Sequence, residues 1–448
     1  MLIARRKLFA LLTGVVLGAG GLSAPATATA TATSATAATA AATEKPAENL
    51  RPVVFVHGSA GSAMQFRTQA KRLASNGYPA RLIEAHEYDS PNIATILPQV
   101  YAGLDARIDR LLAASGADKV DLLAHSLGTF VMQGYLNSSP ARAARVAHYV
   151  NLDGRPAAAL PGGVPTLAIW GEGDPARAVA GATNVSFPDQ SHTQTVSSVE
   201  TFREFYRFFR GHDPRTTAIV ADRHPQVSGR AVLFPSNAAA EDATVEVYRL
   251  DPRNGRRLSK RPAHVRQVAA DGAFAPVPVN PRARYEFALV RPGQATHHFY
   301  FEPFQRTDTL VRLLTSRPGE GIGALVDTSE RHTALTFQRQ KEWWGDQGTA
   351  GDQLWINGRQ VLNAANAPRV KRVIGVFAFD DGSDRVTDLS APLPEFFAIT
   401  FMTGLDLFIP ARGTVSIVAK SRSDGWTHLP VPAWRSDEHR VSIEIDDN

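Results

Sequence analysis

The chain has 448 residues, 44% of them hydrophobic, which is enough for two or three packed domains. Its formal charge is +5 and falls to about +2 once Arg5, Arg6 and Lys7 leave with a leader, so the composition argues against a nucleic-acid partner. There is no cysteine, which excludes disulfide partners, thiol catalysis and Cys-based metal sites.

The first 30 residues read as a secretory signal and predict an extracellular protein. Arg5, Arg6 and Lys7 form a positive start, Leu8 to Leu22 an apolar stretch, and Ala24, Ala26 and Ala28 offer small-residue cleavage sites. The Arg5-Arg6 pair before Leu8-Phe9 is a loose match to twin-arginine export signals. Residues 31–49 are a low-complexity Ala/Thr leader.

From 50 to 212, strands and helices alternate. Val53-Val54-Phe55-Val56 is a continuous apolar run, the signature of a parallel strand covered on both faces. A helix over 62–75 with Phe66, Ala70 and Leu73 on one face stops at Gly77, and Arg81-Leu82-Ile83 is a second strand. Leu97, Val100, Leu104, Ile108 and Leu111 repeat at helical spacing. A strand over 119–124 is followed by a helix reaching Leu136, then by strands 146–152, 166–170 and 183–187. Ser197-Ser198-Val199-Glu200 is a capping box for a last helix carrying Phe202, Phe205 and Phe209. This alternation predicts an α/β layer fold, a mostly parallel sheet with flanking helices.

After Asp213 helical periodicity fades. Alternating runs such as Thr244-Val245-Glu246-Val247 are separated by turns such as Asp251-Pro252-Arg253-Asn254-Gly255, an all-β pattern. Pro292-Gly293 marks a second shift, so residues 213–293 are read as a β-sandwich-like domain and 294–448 as a second β-rich domain. The latter holds five of the six tryptophans, expected mainly in its core, with an aromatic binding platform as the competing reading. The basic cluster Arg256 to Arg261 is expected to be a solvated hairpin. His297-His298 are adjacent on a predicted strand and point to opposite faces, a poor metal pair, and no metal or cofactor is called for.

The chemistry concentrates at Ala124-His125-Ser126-Leu127-Gly128, which follows the apolar Val120, Leu122 and Leu123. A Ser between small residues on a strand-to-helix turn is a nucleophile elbow. Acyl transfer by Ser126 needs a base, a carboxylate to orient it and backbone donors for the oxyanion. His192, in the loop before the final helix, is the best-placed base; His57, His86, His125 and His148 read as structural. Asp153 and Asp174 both end strands, and the strand pattern alone favours Asp174 as the acid. The backbone N–H groups of Ser59, after the first strand, and of Leu127 are the expected oxyanion donors.

The runs His57 to Ser62, Ala74 to Ala80, Glu87-Tyr88-Asp89, Ser115 to Leu122 and Asn137 to His148 resemble a two-domain archaeal long-chain lipase, with a weaker echo at Lys341-Glu342-Trp343-Trp344-Gly345. The resemblance implies an α/β-hydrolase domain joined to a C-terminal β domain, and a lipase or esterase acting on an ester or lipid substrate. It also implies Asp153 as the acid, with Asp174 the alternative. The family's long lid after the Tyr-Asp pair is missing, since only Ser90 to Pro98 separates Asp89 from the amphipathic helix. An open cleft for short, bulky or polymeric esters and little interfacial activation are therefore expected. An amidase or peptidase on the same residues, or a lipid- or polymer-binding role for the β region, are the alternatives.

Overall fold

The computed structural model describes residues 50–423 and 425–447; the signal expected at 1–30 and the Ala/Thr run at 31–49 lie outside them. Six parallel strands form the first sheet: β1 (Val53–Val56), β2 (Ile83–His86), β3 (Val120–His125), β4 (Val146–Leu152), β5 (Thr166–Trp170) and β6 (Thr183–Ser186). Their order is β2-β1-β3-β4-β5-β6. β1 and β3 are buried throughout, as the unbroken apolar run of β1 requires. The helices are α1 (Arg67–Ser75), α2 (Ile93–Ser115), α3 (Leu127–Asn137), α4 (Pro140–Ala144), α5 (Gln194–Ser197) and α6 (Val199–Arg210).

The chain leaves β1 to one side for β2 and returns on the other side as β3, so the order reverses between β1 and β3. Loops beyond the strand ends at such a switch point splay apart and leave a crevice. The segments after β1 and β3 are His57–Gly61 and Ser126, the two motifs singled out above.

Some element edges differ from the sequence reading. The helix over 62–75 begins as a tight 3-10 turn at Ala63–Phe66 capped by Ser62, whose hydroxyl accepts from Met64 N–H. The second strand starts two residues later, because Ala80–Leu82 forms another such turn after Pro79. The cap of α6 is Ser198, accepting from Thr201 N–H, so Glu200 lies within the first turn rather than closing a capping box.

The β region begins at Gln226–Leu233 and corrects the predicted boundary at 293. An eight-stranded sheet contains Arg284–Val290 and Thr296–Phe301 side by side, so Pro292-Gly293 is a hairpin turn and not a linker. The following strand, Asp308–Thr315, pairs with Gln226–Leu233. Thr296–Phe301 in turn pairs in parallel with His439–Glu444, near the C-terminal end. The two β portions therefore share one sheet. The basic cluster is also less solvated than expected: Arg257 reaches the fully buried Glu286. Trp343 and Trp344 are core residues and Trp434 stacks on His298, whereas Trp426 is 64% exposed.

The β region is welded to the α/β domain through charges on α1. Arg67 pairs with Asp308 at 2.8 Å and Lys71 with Asp446 at 2.7 Å. Beside them Glu444 is buried, with Oε1 unpartnered. Burial pushes its carboxyl up to about 8, with Arg67 opposing and Asp446 adding to the rise. In the unfolded chain it titrates near the ordinary value, so the folded state holds the extra proton. The stabilising linkage is fully present below the unfolded pKa and is lost as pH rises through about 8. Glu444→Gln should therefore melt like the parent near about pH 4 and above it, on the order of 5 kcal/mol more stable, near about pH 9. Melting curves across that range check this; a constant difference would contradict it.

Candidate active site

Ser126 is the single residue between β3 and α3. Its backbone sits at φ 52° and ψ −121°, a strained conformation for a residue with a side chain. Close packing makes the turn possible. A Cβ on Gly128 would lie 2.5 Å from Val56 O and 2.6 Å from His57 O, so only glycine lets α3 start against the end of β1. Ala124 is fully buried, which explains a small residue there. Ser126 N–H donates to Leu152 O at 3.1 Å, tying the elbow to the end of β4.

Asp153 follows directly, at φ 42°. Its Oδ2 lies 2.6 Å from His192 Nδ1. Its Oδ1 accepts from Gly171 N–H at 2.9 Å and from Arg177 Nη1 at 2.8 Å. Burial pushes this carboxyl up, but the hydrogen bond and charge of His192, the Gly171 amide and Arg177 outweigh it and hold Asp153 below the ordinary range. Asp174 is exposed instead and accepts from Ala176 N–H in its own turn. The structure thus brings Asp153, and not Asp174, to His192.

His125 Nε2 lies 3.1 Å from His192 O, beneath the elbow, and burial holds its ring down to about 3, neutral at physiological pH. The first loop packs on the same spot: a Cβ on Gly58 would meet Ser126 Cβ and His125 Nδ1, both at 3.0 Å. In that loop Gly61 N–H closes a turn on Gly58 O around the exposed Ser59. Leu127 opens α3, so its N–H is one of the helix's orphan donors. His57 is buried, stacks on Tyr88 at 4.3 Å and accepts from Tyr88 N–H at Nε2 at 3.2 Å. His148 pairs with Asp121 on the sheet.

Four residues around His192 escaped the sequence reading. Arg177 anchors the acid. Glu342, fully buried, accepts from Ser191 Oγ and from Thr193 N–H at 2.7 Å, so it grips both neighbours of His192. Arg422 donates to Ser191 Oγ at 3.2 Å and Gln194 Oε1 at 2.6 Å. Phe401, at φ 68°, lies near-parallel to the His192 ring with centroids 6.3 Å apart. Only the Lys341-to-Gly345 resemblance hinted at Glu342. These contacts correct the expected open cleft: no long insertion follows Asp89, but the C-terminal β region itself roofs His192. Ser59 and Phe401 line a common cleft of about 200 Å³ with Leu314, Ile322 and Phe377.

Residues 50–142 match the class 2 lipase family, 224–318 the lipase C-terminal domain and 321–448 a further C-terminal domain family. The chain is lipase-like. Lipase B of Aspergillus fumigatus is 14% identical over 37% of this chain and 54% of its own, with a TM-score of 0.29, so the match spans about half of that enzyme. The Bacillus licheniformis lipase BlEst2 in propeptide form is 12% identical over 87% of this chain and 94% of its own, with a TM-score of 0.30. The Legionella pneumophila phospholipase PlaB is 8% identical over 89% and 94%, with a TM-score of 0.23. No curated protein matches the chain.

Proposed function

We propose that this lipase-like chain is a secreted serine hydrolase of carboxylic esters that works through an acyl-enzyme. Ser126 is the nucleophile, His192 the base, Asp153 the orienting acid, and the Ser59 and Leu127 amides the oxyanion donors. The contact of 2.6 Å between His192 Nδ1 and Asp153 Oδ2, with the His192 ring 4.5 Å from that of His125, the neighbour of the strained elbow serine, carries this reading. With Nδ1 committed to Asp153, Nε2 is the nitrogen that takes the Ser126 proton as Oγ attacks the ester carbonyl. The tetrahedral oxyanion is held by the two amides, the alcohol leaves with the proton from His192, and water repeats the cycle on the acyl-enzyme. Secretion rests on the residues 1–30 leader pattern.

The test is hydrolysis of p-nitrophenyl esters from acetyl to palmitoyl. Ser126→Ala should lose activity by about 10⁴-fold or more, and the chain-length optimum separates esterase from long-chain lipase. No steep jump is expected as a short triglyceride passes its solubility limit, because the roof is a packed domain rather than a hinged insertion. A folded protein inactive on every ester would move the weight to amide substrates or to binding by the β region.

A further inference from the structure

The buried arginines Arg67, Arg312 and Arg339 each face a carboxylate at 3.1 Å or closer, whereas the equally buried Arg72 is held by neutral oxygens alone, Gln69 Oε1, Ser197 O and Thr217 O. Arg291 and Arg440 likewise lack a carboxylate, and here two cations meet. Arg291 is 5% exposed, and its Nη2 donates to Thr315 Oγ1 at 2.8 Å and Ser316 O at 3.0 Å, while its Nε has no partner. Arg440 Nη1 donates to Ser316 Oγ at 2.8 Å and to Ser316 O at 3.3 Å. Among the described residues neither has a carboxylate in contact. The two cations share one carbonyl. Burial, with the repulsion of Arg440 and Arg317, pulls Arg291 down to about 10. His297 stands beside them, held by Thr315 Oγ1 at 3.1 Å and Ser442 Oγ at 2.9 Å, and adds no negative charge. Two neighbouring guanidiniums, one buried and one half-buried, that face only neutral oxygens leave a place that an anion would stabilise.

Their position says which anion. Arg440, Thr315, Ser316 and Ser442 line the same cleft as Ser59 and Phe401, whose remaining wall is largely apolar. We propose that Arg440, backed by Arg291, is a carboxylate subsite of this cleft, binding the ionised end of an acyl chain whose methylenes lie along the apolar wall. The inference rests on the hydrolase reading for its place in catalysis, but the binding itself does not. The carboxylate has two sources, an ω-carboxylate on the acyl part of the ester or a freed fatty acid lying with its methyl end toward Ser126.

The experiment is thermal melting of the full chain with octanoate, octanedioate, neutral octanamide and inorganic phosphate, which needs no turnover. Both carboxylates should raise Tm by roughly 2 °C at tenfold excess over Kd, and octanamide and phosphate should not. Arg440→Met should remove the shift; should that variant fail to fold, Arg440→Gln replaces it. A shift of equal size with octanamide or with phosphate alone, or one that survives in the variant, overturns the proposal. Kinetics then separate the sources. If the substrate carries the carboxylate, the preference for p-nitrophenyl hydrogen octanedioate over p-nitrophenyl octanoate falls about tenfold in the variant. If the product does, octanoate is a competitive inhibitor whose inhibition constant rises about tenfold. An inactive parent that still shows the octanoate shift would remove the hydrolase reading and leave the subsite standing.

Discussion

Asp153→Asn is expected to lower kcat by roughly 10³–10⁴-fold, and Asp174→Asn to leave it within about twofold. The two residues end adjacent strands, yet their surroundings differ in every respect that matters for orienting a base. Asp153 is withdrawn from water and spends one oxygen on His192 and the other on Gly171 and Arg177. An amide at this position keeps the shape but presents a donor where Nδ1–H needs an acceptor, which favours the wrong tautomer and removes the charge that stabilises an imidazolium. Asp174 holds only its own turn, and an asparagine performs that task as well. Circular dichroism and melting of both variants would show that the loss is one of chemistry and not of folding. Greater damage from Asp174→Asn would remove Asp153 from the mechanism.

This pair also shows where sequence reasoning stops. Residues whose role follows from local chain geometry were legible: the apolar run of β1, the small residues around Ser126, and the periodicity of α2. Asp153 and Asp174 are locally alike, and what separates them is tertiary. The chain after β5 turns Asp174 outward, while β4 ends beneath the loop that carries His192. Strand pattern favoured Asp174; only the family resemblance pointed to Asp153. The same limit explains Glu342, which meets Thr193 from 149 positions away, and Arg422, which meets Gln194 from 228. No spacing rule reaches that far. The boundary drawn at 293 had a different cause: a hairpin turn and a linker share Pro and Gly, and only the pairing of Thr296–Phe301 with His439–Glu444 distinguishes them.

Those long-range contacts lead to the other large effect. A fragment of residues 50–211, the whole α/β layer, is expected to aggregate or to retain less than about 1% of the parent's specific activity. The charges at the junction are not the main reason. Arg67, Lys71 and Glu87 would lose Asp308, Asp446, Arg230 and Arg312, but cut free of the β region they regain water, which largely replaces those pairs. Apolar surface has no such substitute. Leu310 of the β region packs inside the same core as Phe55 and Phe66, so the cut opens that core at about 25 cal/mol per Å². Catalysis suffers separately, since Ser191 and Thr193 would lose the carboxylate that fixes the His192 loop. Glu342→Ala in the full chain isolates this second effect. It should cost about 10–100-fold in kcat with a smaller change in KM, because it loosens the base without touching the cleft wall. A soluble, fully active 50–211 fragment would mean that the α/β layer positions its own histidine and that the roof serves only the substrate.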